Sequence, residues 1–231
     1  MSASANCSGC IAMRWSRPTD RSATGNMNWY EEHILPVCLD LVCGCRPILK
    51  QRAKVVPRAA GVVLEVGMGS GLNLPWYDRA RVTRIYGLEP SEGMRHRARR
   101  RAEESGLPVE FIDLPGESIP LDDASVDTVL VTYTLCTIPD VAAALAGMRR
   151  VLRPEGRLIY CEHGRAPDAG VRRWQERFNS AWGRFAGGCN MNRDIPALII
   201  AAGFEIEDDR RRYIPGPRIL SYNFWGSARV C

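Results

Sequence analysis

Short runs rich in β-branched residues alternate with longer helical stretches from residue 61 onward, and this alternation limits the architectures open to the chain. Val62-Val63-Leu64 with Val66 reads as a buried strand. Val82 to Leu88 (VTRIYGL) is a second, Val109-Glu110-Phe111-Ile112 a third, Val126 to Thr132 a fourth and Arg157 to Cys161 a fifth. Helical patterns fill the gaps near 72–79, 91–105, 139–152 and 168–186. Strands separated in this way form βαβ units, hence a mostly parallel sheet with helices on both faces. After a further helix ending at Gly203, strands near 204–213 and 220–229 have no crossover helix between them. They should pair antiparallel at the sheet edge. The fold class expected is a Rossmann-like α/β three-layer sandwich: a seven-stranded mostly parallel sheet with an antiparallel last strand.

Ahead of the sheet, Ile34, Leu35, Cys38, Leu41, Val42, Cys45 and Leu49 recur at three- and four-residue steps, predicting an N-terminal helical lid with one buried face. Pro36 and Gly44 should break it into pieces. Residues 1–27 lack periodicity and read as a disordered tail, with Met13 and Met27 as alternative starts; residues 28–231 form the domain. The tail carries no secretory signal pattern, and no apolar run approaches the roughly 20 residues that a spanning helix needs. Of the 31 basic residues only Lys50 and Lys54 are lysines. That skew reflects coding composition better than nucleic-acid binding, and the run around Arg95–Arg101 is answered by Glu103 and Glu104, as on a solvated helix face. No nucleic-acid partner is expected; a weak contact with an anionic membrane surface stays open. Nine scattered cysteines fit reduced thiols in the cytoplasm. Cys7/Cys10 and Cys43/Cys45 have no companion pair at zinc spacing, so no metal site is expected.

The sharpest local signal is Glu65-Val66-Gly67-Met68-Gly69-Ser70-Gly71, directly after the first strand. Glycines there permit φ > 0 and let backbone approach a ligand, and a helix beginning just beyond would offer free N–H groups to an anion. A dinucleotide fingerprint requires glycine at 72, where Leu72 stands. Glu89, at the tip of the second strand, can accept hydrogen bonds from two ribose hydroxyls. That feature serves a nicotinamide dinucleotide as well, so an NAD-dependent oxidoreductase remains an alternative.

E-x-G-x-G-x-G resembles the first motif of class I S-adenosylmethionine (SAM) methyltransferases. Val151-Leu152-Arg153-Pro154-Glu155-Gly156-Arg157-Leu158 resembles their helix–turn–strand segment. The set Leu135-Cys136-Thr137-Ile138, Cys161-Glu162-His163, Trp174, Trp182 and Gly188-Cys189-Asn190-x-x-Arg193-Asp194 resembles the branch with thiol S-methyltransferases. The resemblance implies SAM as cofactor, held by Glu65, Gly67, Gly69, Gly71 and Glu89, with Thr132 at the end of the fourth strand. The aspartate that contacts adenine in relatives aligns with Pro115, so Gly116 backbone or the Glu117 carboxylate would substitute. It also implies methyl transfer to a small lipophilic acceptor: a thiol first, a phospholipid amine or quinone carbon next. A protein that binds SAM without turnover is the remaining alternative.

His163 and Tyr30 are the catalytic candidates. Glu162-His163 follows the fifth strand and should border the transferring methyl, with a structural role for His163 as the competing reading. Trp29 and Tyr30 start the predicted lid, where their rings could face a sulfonium or line an acceptor pocket. The Trp174, Phe178, Trp182, Phe185 series reads as core before it reads as acceptor wall. Oligomeric state is not legible in the sequence.

Overall fold

A computed structural model describes residues 34–231. The expected tail, Trp29 and Tyr30 lie outside the described residues. The order is α1 (Leu35–Cys43), α2 (Arg46–Val55), β1 (Gly61–Val66), β2 (Val82–Leu88), α3 (Glu92–Ser105), β3 (Val109–Ile112), β4 (Val126–Thr132), α4 (Val141–Val151), β5 (Leu152–His163), α5 (Ala169–Phe185), α6 (Ile195–Ala201), β6 (Phe204–Tyr213) and β7 (Tyr222–Val230).

The seven strands form one sheet in the order β3-β2-β1-β4-β5-β7-β6. β1 to β5 pair in parallel. β7 runs antiparallel to both neighbours, with Cys161 opposite Trp225 on one side and Phe204 opposite Val230 on the other. The predicted antiparallel pair is therefore present. β7, however, inserts between β5 and β6, and β6 is the edge.

Period-2 alternation sends neighbouring side chains to opposite faces. Leu64, Val66, Val129, Val131, Leu158 and Tyr160 pack with Ala144, Leu145 and Met148 of α4 and Ile195 and Ile199 of α6. Val63, Leu130, Ile159 and Cys161 face the other way, onto Val55 at the end of α2 and Ala98 and Ala102 of α3. Removing these side chains from water is the main force holding helices to the sheet. Helix starts follow their caps: Ser91, Asp140 and Asp194 accept from the backbone N–H of Met94, Ala143 and Ala197. Gly106 ends α3 at φ +64°.

Two local expectations need correction. No α-helix spans 72–79; a single 3₁₀ turn, Leu74–Trp76, stands there. Pro75 sits at its start, and the Asp78-Arg79-Ala80-Arg81 turn to β2 leaves no length for a second turn. Pro36 occupies the first turn of α1, where its missing N–H costs nothing, and Gly44 makes the expected break before α2; the stretch ahead of Ile34 lies outside the described residues. Finally, the apolar stripe of α1 is not its buried face. Leu41 is 71% and Val42 61% exposed, and Cys38 is exposed, whereas Pro36 is buried. What faces inward is the edge with Pro36, Leu39, Asp40 and Cys43.

Candidate functional site

β1 lies where the winding reverses, with β2 and β3 to one side and β4 and β5 to the other. In open α/β sheets ligands settle beyond the strand carboxyl ends at that switch point. A cleft of about 520 Å³ opens there. Its floor is Val66 to Ser70, its flanks Leu88 to Ser91 and Thr132 to Thr134, its far wall Pro115 to Glu117 and Thr137 to Pro139, and α1 covers it.

The Gly-rich turn divides into glycines with different duties. Gly67 has φ +67° and donates its N–H to Leu88 O at 2.8 Å. A Cβ on it would stand 2.2 Å from Thr134 Cγ2, so glycine is required by the approach of the β4 loop. Gly69 has φ +59° and faces open space, with only Gly67 O at 4.0 Å from a built Cβ; this is the glycine that leaves room for a ligand. Gly71 is packed against Leu74 and Ala98 and does not line the cleft. It fits α3 to the turn.

Glu89 does reach the cleft. Gly69 N–H donates to its Oε2 and Ser91 N–H to its Oε1, each at 2.9 Å. Each oxygen keeps a second lone-pair direction, so the carboxylate is aimed by backbone and still able to accept from a ribose. Burial raises its pKa, opposed by those two backbone donors.

Glu65 stands one layer behind. Its carboxylate accepts from Asn73 Nδ2 at 2.9 Å and Tyr77 Oη at 2.6 Å, and it does not line the cleft. Complete burial pushes its pKa up to about 7, against the hydrogen bonds of Tyr77 and Asn73 and the charge of Arg52. Thr132 lines the cleft with its hydroxyl engaged by Arg52 Nη1 at 2.6 Å and Asn73 Nδ2 at 2.9 Å.

Arg52 is the residue that sequence reading missed. It is 6% exposed, donates to Asn73 Oδ1 at 2.8 Å, lies 5.3 Å from the Tyr133 ring centroid, and has a buried Nε without a partner. Among the described residues lining the cleft, Arg52 is the basic one beside the acidic Asp40, Glu89 and Glu117, and a buried guanidinium is suited to pairing with an anion. Tyr133, within the Thr132–Cys136 segment expected at the end of the fourth strand, lines the cleft. It adopts φ +56°, uncommon for an aromatic residue, while its hydroxyl donates to Asn223 Oδ1 at 2.6 Å.

Gly116 and Glu117 line the far wall. A Cβ on Gly116 would meet Ile138 Cδ1 at 2.9 Å, so its backbone closes tightly on the apolar wall. Glu117 is half-buried and accepts from Asp140 N at 3.2 Å. The covering helix is fixed by Asp40, whose carboxylate accepts from the Ser70 hydroxyl, from Arg101 Nη1 at 2.9 Å and from Arg97 at 3.4 Å. Burial works against the Asp40 carboxylate, but Arg101, Ser70 and Arg97 outweigh it and lower its pKa.

His163 is not where the sequence placed it. The ring lies behind the cleft wall, stacked on Tyr133 at 6.5 Å, with Nε2 3.2 Å from Cys189 Sγ. It does not border the cleft. Its neighbour Glu162 is wholly buried and accepts from the N–H groups of Thr134 and Leu135, which shape the β4 loop. The aromatic stripe of α5 is not core along its length: Trp174 and Phe178 stack with each other at 5.2 Å in an exposed position and Phe185 is 72% exposed, whereas Trp182 is half-buried.

Residues 64–160 match the methyltransferase domain family. The human thiol S-methyltransferase TMT1B is 32% identical over 184 residues, 74% of this chain and 75% of its own length. The chain belongs to the class I SAM-dependent methyltransferases, on the branch that holds TMT1B. A phosphatidylethanolamine N-methyltransferase of Cereibacter sphaeroides is 34% identical over 58% of this chain and 68% of its own. Among solved structures, a SAM-dependent methyltransferase from Thermotoga maritima superposes with TM-score 0.62 at 23% identity, covering 88% of this chain and 98% of that one. SAM is therefore the methyl donor of this methyltransferase. The cleft has what that donor requires: an aimed carboxylate at Glu89, open backbone at Gly69 and a cation at Arg52. No helix among the described residues is long and apolar enough to cross a membrane.

Proposed function

We propose that this methyltransferase transfers the methyl group of SAM to a small lipophilic thiol. The observation that carries the reading is the placement of Glu89 at the tip of β2 and Arg52 beneath α1 on the walls of one cleft at the strand ends. A carboxylate and a guanidinium on that cleft suit a zwitterionic nucleoside laid across the carboxyl ends of β1, β2 and β4. Bound there, SAM supplies a methyl already activated by its sulfonium charge.

The protein's own part is alignment and exclusion of water. Glu89 accepts from the ribose hydroxyls, and Gly69 leaves space for the chain between ribose and amino acid. Arg52 takes the carboxylate as a charge-assisted pair. Leu88, Met94, Pro115 and Ile138 give adenine apolar faces, and the Gly116 backbone with Glu117 replaces the missing aspartate at its edge. The acceptor enters between α1 and the 132–138 loop, past Leu39, Cys43 and Thr137. A thiolate reacts there with no proton to remove, consistent with a cleft wall that presents no side-chain base from His163. Tyr30 lies outside the described residues, and its place in the acceptor pocket stays part of the proposal. The longer match to TMT1B, 184 residues against 140 for the Cereibacter relative, favours a thiol over a lipid amine.

Incubation with methyl-labelled SAM and a panel of alkyl thiols, aryl thiols, phosphatidylethanolamine vesicles and hydroquinones tests this. Label should pass first to the thiols. Transfer confined to the amine or quinone, or to none of the panel, contradicts it.

A further inference from the structure

Cys136, His163 and Cys189 come together from the β4 loop, the end of β5 and the loop after α5. We propose that they form a binding site for a zinc ion, held by two thiolates and His163 Nε2. The three ligand atoms lie within 4.8 Å of one another and all three residues are buried. Cys189 Sγ is already 3.2 Å from His163 Nε2. Tetrahedral zinc with Zn–S near 2.3 Å and Zn–N near 2.0 Å keeps its ligand atoms about 3.3–3.8 Å apart, so the triangle has only to close by roughly an ångström.

The surrounding backbone holds the three ligands in place without metal. Asn190 donates to Cys136 O through its N–H at 2.8 Å and its Nδ2 at 3.0 Å, tying the two cysteine loops together. Cys189 N–H donates to Ala186 O at 3.1 Å. The His163 ring stacks on Tyr133 and turns its Nε2 toward Cys189. Buried cysteines are usually small apolar fillers, but two of them converging on an imidazole nitrogen form a soft-metal donor set. Two thiolates and a neutral imidazole also cancel the charge of Zn²⁺, so the ion enters the interior without net charge; the two thiol protons leave to solvent. Local spacing concealed the site because its ligands sit on three separate segments. The flanking residues Thr137 and Gly187 line the cleft, so an ion here would fix the wall on the acceptor side.

The test is metal content of the full chain after zinc loading and gel filtration, with cobalt substitution followed by absorption. Wild type should retain roughly one zinc per chain and, with cobalt, show thiolate charge-transfer and tetrahedral d–d bands. Cys136→Ser and Cys189→Ser should each lower retained zinc about tenfold or more while keeping the wild-type circular dichroism, and the Cys7→Ser/Cys10→Ser double variant should retain it. The cobalt spectrum of wild type needs no variant, so misfolding of either cysteine variant leaves the test intact. Failure of wild type to hold zinc or show the cobalt bands overturns the proposal. So does loss that follows Cys7 and Cys10, or isolation of a Cys136–Cys189 disulfide. None of these readouts depends on which acceptor is methylated.

Discussion

The two ends of the cleft are built differently. At the donor end, Gly67, Gly69 and Glu89 sit on β1, β2 and the turn joining them, and their geometry is backbone-determined: Gly67 N to Leu88 O, Gly69 N and Ser91 N to Glu89. At the acceptor end the pieces are held by side chains distant in sequence: Asp40 ties α1 to Ser70 and to Arg101 of α3, and the loop after α5 meets His163 through Cys189 and the 132–138 loop through Asn190 and Cys136 O. A donor site made of short-range motif is common to a whole family, whereas an acceptor site assembled at long range can change with single side chains. That contrast is why donor chemistry is settled by kinship here and acceptor chemistry is a proposal.

Arg52, which lines the cleft next to Thr132 but comes from α2 outside the glycine motif, carries the largest expected effect if it pairs with the donor carboxylate. Arg52→Met removes one charge-assisted partner of the donor carboxylate, about 1.5–3 kcal/mol, and should weaken SAM roughly 10- to 100-fold. Decarboxylated SAM should bind wild type and variant nearly alike. If both ligands lose affinity equally, Arg52 is only holding Asn73 and Thr132 in place.

Glu65 tests whether the layer behind the turn acts through charge. Its folded pKa of about 7 lies above the ordinary value of 4.5. The unfolded chain therefore releases this proton first. The contribution to stability is greatest below pH 4.5, falls as pH rises toward 7 and is flat beyond. Glu65→Gln removes that dependence. From pH 5 to pH 8, wild type should lose on the order of 2–3 kcal/mol relative to the variant in urea unfolding. A constant difference between the two proteins contradicts the buried-carboxyl account.

A smaller effect is expected at the roof. Asp40 has a lowered pKa, so its stabilisation is present at neutral pH and is lost as pH falls through that lowered value. Asp40→Asn should loosen α1 by about 1 kcal/mol, raising the acceptor KM several-fold with less effect on kcat. Hydrogen exchange of α1 amides should quicken accordingly. Unchanged exchange would mean that α1 is held by something other than the Ser70 and Arg101 contacts.

Legibility in the sequence followed the same division. The five parallel strands, α3 to α6 and the exposure of Glu89 to the cleft were readable because hydrophobic period, caps and glycine turns are local signals. Leu74–Trp76 failed to become a helix because Pro75 and a short connection overrode the apolar pattern. Arg52 gave no signal, since a basic residue on an amphipathic helix normally faces water; only the buried acceptors at Asn73 and Thr132 draw it in. The apolar stripe of α1 pointed the wrong way because a polar anchor, Asp40, fixes which face turns inward. The His163 ring sits behind Tyr133, whose left-handed backbone at φ +56° no pattern announces.

Calorimetric titration of SAM into wild type and Glu89→Ala tests whether Glu89 accepts from the donor's ribose. Losing a carboxylate that accepts two hydroxyl hydrogen bonds should weaken SAM about 100-fold. Equal affinity in the two proteins would contradict the account.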